Sequence, residues 1–214
     1  MRPLHVGLDL DNTIISYDSG FAAVAAEIGL LPAGHALRTK EAVKSFLWAL
    51  PDGEQVWMRL QGQMYGRHID HGELYDGVPE FLRAMRAAGA KVSIVSHKTK
   101  YGHFDESRVN LWDAALGWLE RRGLFDDAFG LRREDVHLRE TREEKIATIG
   151  EIGCRVFIDD LPEVLLHPKF PARTIRIWFA SDQPAESGHG LVPHRDWYSL
   201  LQAVRALPAT ASEP

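Results

Sequence analysis

After residue 75 the chain alternates short apolar runs with amphipathic stretches. "YDGVPEFLRAMRAAGA" sets Val78, Phe81, Leu82 and Met85 at i, i+3, i+4 and i+7, one face of a helix. Pro79 suits its first turn and Gly89 its stop. "KVSIVS" follows, a β-rich run bounded by polar residues. "NLWDAALGWLERRG" predicts a second helix, with Leu111, Ala115 and Trp118 on one face and Gly123 past its end. "REEKIATIGEIG" predicts a third, leading into the strand "RVFID"; "TIRIWFA" reads as a further strand and "RDWYSLLQAVRAL" as a closing helix. Together with the apolar opening "VGLDLDNTII", this alternation predicts an α/β, Rossmann-like core: a parallel sheet covered by helices on both faces.

Residues 17–72 break the rhythm. "YDSGFAAVAAEIGLL" offers Phe21, Val24 and Ile28, and "TKEAVKSFLWAL" offers Val43, Phe46, Leu47 and Leu50. "DGEQVWMRLQGQMYGRHI" opens on Asp52 as a helix N-cap and carries Val56, Leu60 and Met64 on one side. Three helical patterns without a strand between them predict a small helical cap inserted after the first strand; helices packed on the sheet itself are the alternative. The expected division is therefore a core of 1–16 and 73–207, a cap of 17–72 and a flexible tail of 208–214.

Composition narrows the class. The 214 residues suffice for one domain with an insertion, and 45% apolar with 26% charged residues is ordinary for a soluble globular chain. A formal net charge of -5 gives no electrostatic reason to expect nucleic acid or an anionic membrane as partner. No stretch approaches the ~20 apolar residues that span a bilayer, and the N-terminus lacks a signal-peptide apolar region. One cysteine, Cys154, cannot pair internally, which fits a reducing cytoplasm, and its place before an apolar strand predicts a buried, inert thiol. A monomer and a homodimer are equally compatible with the sequence.

The chemistry concentrates where apolar strands end. The first gives Asp9, Asp11 and Thr13, with Asn12 between; "VSIVSHK" gives Ser96 and His97; "RVFIDDLPEVL" gives Asp159 and Asp160. In an open parallel sheet, ligands bind outside the carboxyl ends of the strands. If these ends converge, carboxylates ~4 Å apart repel by roughly 4 kcal/mol at an effective dielectric near 20. Four of them cannot all stay ionised without cations: either some are protonated, or a metal and a lysine sit among them. A site of oxygen ligands open to a phosphate suits Mg2+, and Lys145, near the start of the helix before Asp159, supplies a fixed positive charge. Lys98 and Lys100, just past Ser96, compete for that role.

Position divides the labour. Asp9, at a strand tip, is held as an in-line nucleophile must be, and its attack on phosphorus gives an aspartyl phosphate. Asp11, two residues on, protonates the departing alcohol and then activates water. Thr13 and Ser96, with Asn12 and His97, donate to the phosphoryl group. The loop "SHKTKYGHF" and the cap stretch "WMRLQGQMYGRH" offer Lys98, Lys100 and Arg59 as substrate contacts, set against an ordinary basic loop and a helix that needs Trp57 and Met64 for its own packing. The histidines of that loop find no second cluster at zinc-binding spacing.

"LDLDNT", "VSIVS", Lys145 and "VFIDD", in this order, resemble the four motifs of the haloacid dehalogenase superfamily of phosphatases, over nearly the whole chain. The insertion after the first motif sits where that family places its first type of cap. The resemblance implies that Asp9 and Asp160 bind Mg2+ through their side chains and Asp11 through its backbone carbonyl, with Asp159 as an outer or second ligand. "IDDLP" and "HRDWYSLL" are similar to the deoxyribonucleotidase-like branch. The expected activity is hydrolysis of a small phosphate ester. A dehalogenase needs no acid two residues after its nucleophile, so Asp11 speaks against that chemistry. A phosphotransferase or mutase uses the same residues. A phosphorylation-dependent signalling module is shorter and lacks an insertion after its first strand.

Overall fold

The computed structural model describes residues 3–181 and 190–207; the tail expected at 208–214 lies outside the described residues. The apolar opening becomes β1 (His5–Leu8), followed by the two-residue strand β2 (Ile15–Ser16) and helices α1 (Asp18–Glu27), α2 (Lys40–Trp48) and α3 (Gly53–Tyr65). A 3-10 turn (Ile69–His71) and β3 (Glu73–Leu74) precede α4 (Val78–Ala87) and β4 (Lys91–His97). Then come α5 (Leu111–Arg121), β5 (Val136–Arg139), α6 (Arg142–Glu151), β6 (Val156–Asp159), α7 (Pro162–Leu165), β7 (Ile175–Phe179), β8 (Pro193–His194) and α8 (Trp197–Arg205).

By contacts the described chain divides into two units. The first takes residues 3–14, 75–97, 124–181 and 190–207; the second takes 15–74 and 98–123. α5, read from sequence as part of the core, groups by contacts with the helices of residues 15–74. Its amphipathic period is legible locally, whereas the surface that its apolar face meets is not.

The first unit is an all-parallel six-stranded sheet in the order β5-β4-β1-β6-β7-β8. This is the α/β Rossmann-like architecture that the alternation predicts. β1 is central, with Leu8 level with Ile94 on one side and Ile158 on the other. Val6, Leu8, Ile94, Val95, Phe157 and Ile158 are fully shielded, as a strand covered on both faces requires. Gly7 has a packing reason: a Cβ there would strike the Phe157 ring and the Cys154 sulfur. Pro79 lies in the first turn of α4, and after that helix Gly89 takes φ +67 while Ala90 N–H donates to the Met85 carbonyl, closing its C-terminus.

In the second unit, α1, α2 and α3 pack together around an aromatic cluster. Phe21 stacks on Trp57 at 5.0 Å between centroids, and Tyr17 meets Tyr65 edge-on at 4.9 Å. Trp57 and Met64 are buried, so both serve packing. Asp52 occupies the N-cap position of α3 in a left-handed conformation, φ 55, with no side-chain cap hydrogen bond; the capping expected from sequence is absent. Instead its backbone turn lets Gly53 sit against the Leu47 carbonyl, where no Cβ would fit.

Candidate active site

The chain runs β1, then β4 and β5 to one side, and β6, β7 and β8 to the other. The sheet therefore reverses direction at β1, and the crevice beyond its carboxyl end is the topological switch point where such folds bind ligands. Asp9 N–H donates to the Ile158 carbonyl at 2.9 Å, which ties the tip of β1 to the tip of β6 and brings Asp9 beside Asp159. Residues 150 apart in sequence are thereby held by sheet register.

Lys145 rises from α6 into this pair. Thr141 caps α6 in a reciprocal capping box with Glu144, which fixes the start of the helix one turn before the lysine. The Lys145 ammonium lies 2.6 Å from Asp9 Oδ1 and 2.6 Å from Asp159 Oδ2. All three side chains are buried, Lys145 and Asp159 completely. Burial alone would lower the lysine's pKa, but Asp159 and Asp9 more than reverse this, and the ammonium is held charged. For Asp159, burial outweighs the lysine's pull and raises the carboxyl's pKa. One ammonium does not neutralise two carboxylates in a closed space, and the more deeply buried one bears the strain. The Lys98 and Lys100 ammonium groups stand over the Tyr65 and Trp112 rings, at 5.2 and 4.9 Å, within the second unit.

After Asp9 the chain turns sharply. Asn12 adopts φ 58, a left-handed conformation that asparagine tolerates better than most residues. Ile14 N–H closes the turn on the Leu10 carbonyl. The buried Thr13 hydroxyl consequently points back into the cluster, 3.2 Å from Asp9 Oδ2 and 3.4 Å from Asp160 Oδ1. Asp159 Oδ1 accepts from Leu161 N–H at 3.0 Å. Asp11 and Asn12 sit half-buried on the turn between Asp9 and Thr13, and Ser96 is buried at the end of β4. Burial lowers the pKa of His97 and Lys145 lowers it further, while Asp9 and Asp11 pull the other way; the imidazole stays neutral close to the cluster's charges.

Two tryptophans that sequence reasoning did not single out hold these loops. Trp197 Nε1–H donates to the Thr13 carbonyl and Trp178 Nε1–H to the Asp160 carbonyl, each at 3.1 Å. Both indoles are buried, and their only local signal is that a buried indole needs an acceptor. Arg59 is exposed on α3 and lines an open groove of about 630 Å³ with Gln55, Phe104, Asp105, Glu106 and Arg108.

Oxygen atoms of Asp9, Asp159 and Asp160 lie within 4.8 Å of one another, a spacing at which a cation can touch all three. The donors are hard carboxylate oxygens and the local charge is in surplus, so the residues fit a small divalent cation such as Mg2+.

No protein-family model and no curated protein sequence matches the chain. Solved structures do match. YfnB of Bacillus subtilis, a HAD hydrolase bound to magnesium, shares 15% identity over 95% of this chain and 99% of its own, with a TM-score of 0.63. The L-2-haloacid dehalogenase RSc1362 shares 15% over 96% and 100%, TM-score 0.57. A predicted phosphoglycolate phosphatase of Haemophilus somnus 129pt shares 16% over 94% and 98%, TM-score 0.54. The chain has the fold of the haloacid dehalogenase-like hydrolases. At these identities the likeness establishes the fold and leaves the chemistry to the site. The deoxyribonucleotidase-like branch rests on the sequence resemblance alone.

Proposed function

We infer that the protein is a Mg2+-dependent phosphatase that hydrolyses a small phosphate ester through an aspartyl-phosphate on Asp9. The observation that carries this reading is the cluster at the switch point: Asp9 and Asp159 paired with the buried Lys145, the half-buried Asp160 within reach of both carboxylates, and Asp11 two residues beyond Asp9. The magnesium bound by YfnB supports the choice of ion.

Asp9, Asp159 and Asp160 would hold the cation, which when bound screens the negative charge of the nucleophile and the phosphoryl oxygens from one another. Asp9 attacks phosphorus through one carboxylate oxygen. A P–O bond to Asp9 forms, the P–O bond to the substrate alcohol breaks, and Asp11 gives the departing alkoxide its proton. Water then attacks the aspartyl phosphate, Asp11 takes its proton, and inorganic phosphate leaves with Asp9 restored. Lys145 steadies Asp9 and meets the charge that gathers on the phosphoryl group. Ser96, Thr13, Asn12 and His97 are its proposed hydrogen-bond donors, and Lys98, Lys100 and Arg59 its proposed contacts with the rest of the substrate.

Dehalogenation, the activity named for RSc1362, uses the same nucleophile but expels a halide that needs no proton. Asp11 favours the phosphatase. The test is phosphate release from a panel of phosphate esters with Mg2+, set beside halide release from 2-haloacids. Phosphate release by the wild type, lost in Asp9→Asn and strongly slowed in Asp11→Asn, supports the reading. Halide release without phosphate release, or phosphate release that survives Asp9→Asn, overturns it.

A further inference from the structure

The second unit carries a different cluster. Glu27, His68 and His71 present a carboxylate oxygen and two ring nitrogens within 4.8 Å of one another. Glu27 Oε2 is 3.9 Å from His68 Nδ1 and 3.7 Å from His71 Nε2. Both gaps are too long for hydrogen bonds, which need 2.7–3.2 Å. They lie close to the ~3.3 Å that separates two ligands of a tetrahedral ion with bonds of about 2.0–2.1 Å. The two rings, 6.0 Å apart and tilted by 49°, converge and do not stack.

The packing of α1 explains why these residues meet. Gly20 lets the turn after α3 approach closely: a Cβ on it would press on the His71 backbone and Cβ and on the Met64 side chain. Glu27 lies two turns further along α1, so it shares that face and reaches the same turn. His68 and His71 are three residues apart on a 3-10 turn, where such positions eclipse. α5 clamps the turn from another side. Trp118 Nε1–H and Arg122 donate to the Gly72 carbonyl, Arg122 also to the Asp70 carbonyl, and Arg121 to the Asp70 carboxylate. The histidines are thus presented by a braced element, as a ligand site requires.

We propose that Glu27, His68 and His71 form a second cation site, selective for a borderline ion such as Zn2+ and separate from the carboxylate cluster at Asp9. Imidazole nitrogens suit zinc and its neighbours, whereas Mg2+ takes oxygen. Burial keeps the His68 pKa below the usual imidazole value although Glu27 opposes this. Arg67 Nε donates to His68 Nε2 at 3.2 Å. Metal on Nδ1 places the ring proton on Nε2, so Arg67, which is exposed, gives up this contact on binding. Solvent completes the ligand shell, since Glu27 and His71 are half open to it. The ion would pin the C-terminus of α1 to the turn that follows α3.

The test titrates chelator-treated full-length protein with Zn2+ in a millimolar Mg2+ background by calorimetry, with Co2+ absorption as a second readout. The expected result is about one Zn2+ per chain with imidazole-type Co2+ bands. That binding persists in Asp160→Asn and weakens at least about tenfold in His71→Gln and in Glu27→Gln, both exposed changes that the fold tolerates. Zinc binding that is unchanged in both variants, that is lost only in Asp160→Asn, or that does not occur against Mg2+ overturns the proposal.

Discussion

Among the described residues two clusters of side chains are spaced as cation ligands would be, and they are built on opposite principles. Asp9, Asp159 and Asp160 are offered by the tips of parallel strands and the loop behind them, largely shut from solvent, with a buried lysine already among them. Glu27, His68 and His71 come from a helix end and a turn, with Glu27 and His71 largely open to water. In the first, like charges are confined where water screens them poorly, so the native state carries electrostatic strain that a bound cation would relieve. In the second, two imidazole rings and one largely solvated carboxylate cost little when empty. On the readings proposed above, the strained site drives the chemistry and the relaxed one fastens.

The largest expected effect separates catalysis from stability in the strained cluster. Asp9→Asn removes the nucleophile and should lower phosphate release by on the order of 10³-fold or more. The same change removes a negative charge from a buried surplus, so the melting temperature without metal should hold or rise. A variant that is inactive because it unfolds would break the distinction. Lys145→Met should do the reverse to stability. It strands two buried carboxylates that now share one ammonium, and breaking a buried pair from one side costs about 3–5 kcal/mol. Urea unfolding measures this, and a loss below ~1 kcal/mol would show that Asp159 simply takes up a proton when the lysine is gone.

Cation linkage sharpens the contrast. Mg2+ at 100 times its dissociation constant should stabilise the wild type by about 2.7 kcal/mol, and Asp160→Asn should lose most of that gain. Glu27→Gln should keep it, because its carboxylate belongs to the other cluster. Equal Mg2+ stabilisation in Asp160→Asn and the wild type would remove Asp160 from the ligand set.

The two clusters were not equally legible in the sequence. Asp9, Thr13, Asp159 and Asp160 stand at the ends of apolar strands, and strand ends can be read from local pattern; sheet register then did the rest. Lys145 needed more, since a lysine near a helix start is usually solvated, and only the fold separates it from Lys98 and Lys100. β5 was missed because "VHLR" mixes apolar with polar residues at the sheet edge, and β2, β3 and β8, of two residues each, are too short for any period. Glu27, His68 and His71 were missed because their meeting depends on Gly20 and on α5. The His-x-x-His spacing of "HIDH" was the one available signal. The grouping of α5 with residues 15–74 was illegible for the same reason, since it rests on contacts that no local rule encodes.

The smallest expected effect is a difference in acid sensitivity. In the first unit His5, His137 and His194 all have pKa values lowered, chiefly by burial, with Lys91 acting also on His5 and Arg139 on His137. His5 is the clearest case, buried at the start of β1 with Nε2 2.9 Å from the Ser93 hydroxyl. A histidine with a depressed folded pKa binds its proton more readily when unfolded. Its neutral form costs nothing above the unfolded value near 6.5, and stability is lost as pH falls from there through the folded pKa. The second unit contributes His68, lowered chiefly by burial. Acidification from pH 7 to 5 should therefore loosen the sheet before the helices. Amide exchange, corrected for its intrinsic pH dependence, should rise first in β4 and β5 and later in α2 and α3, and His5→Gln should shrink that difference. Equal loosening of both regions would mean that acid acts on the carboxylates they share in kind, and not on the buried imidazoles.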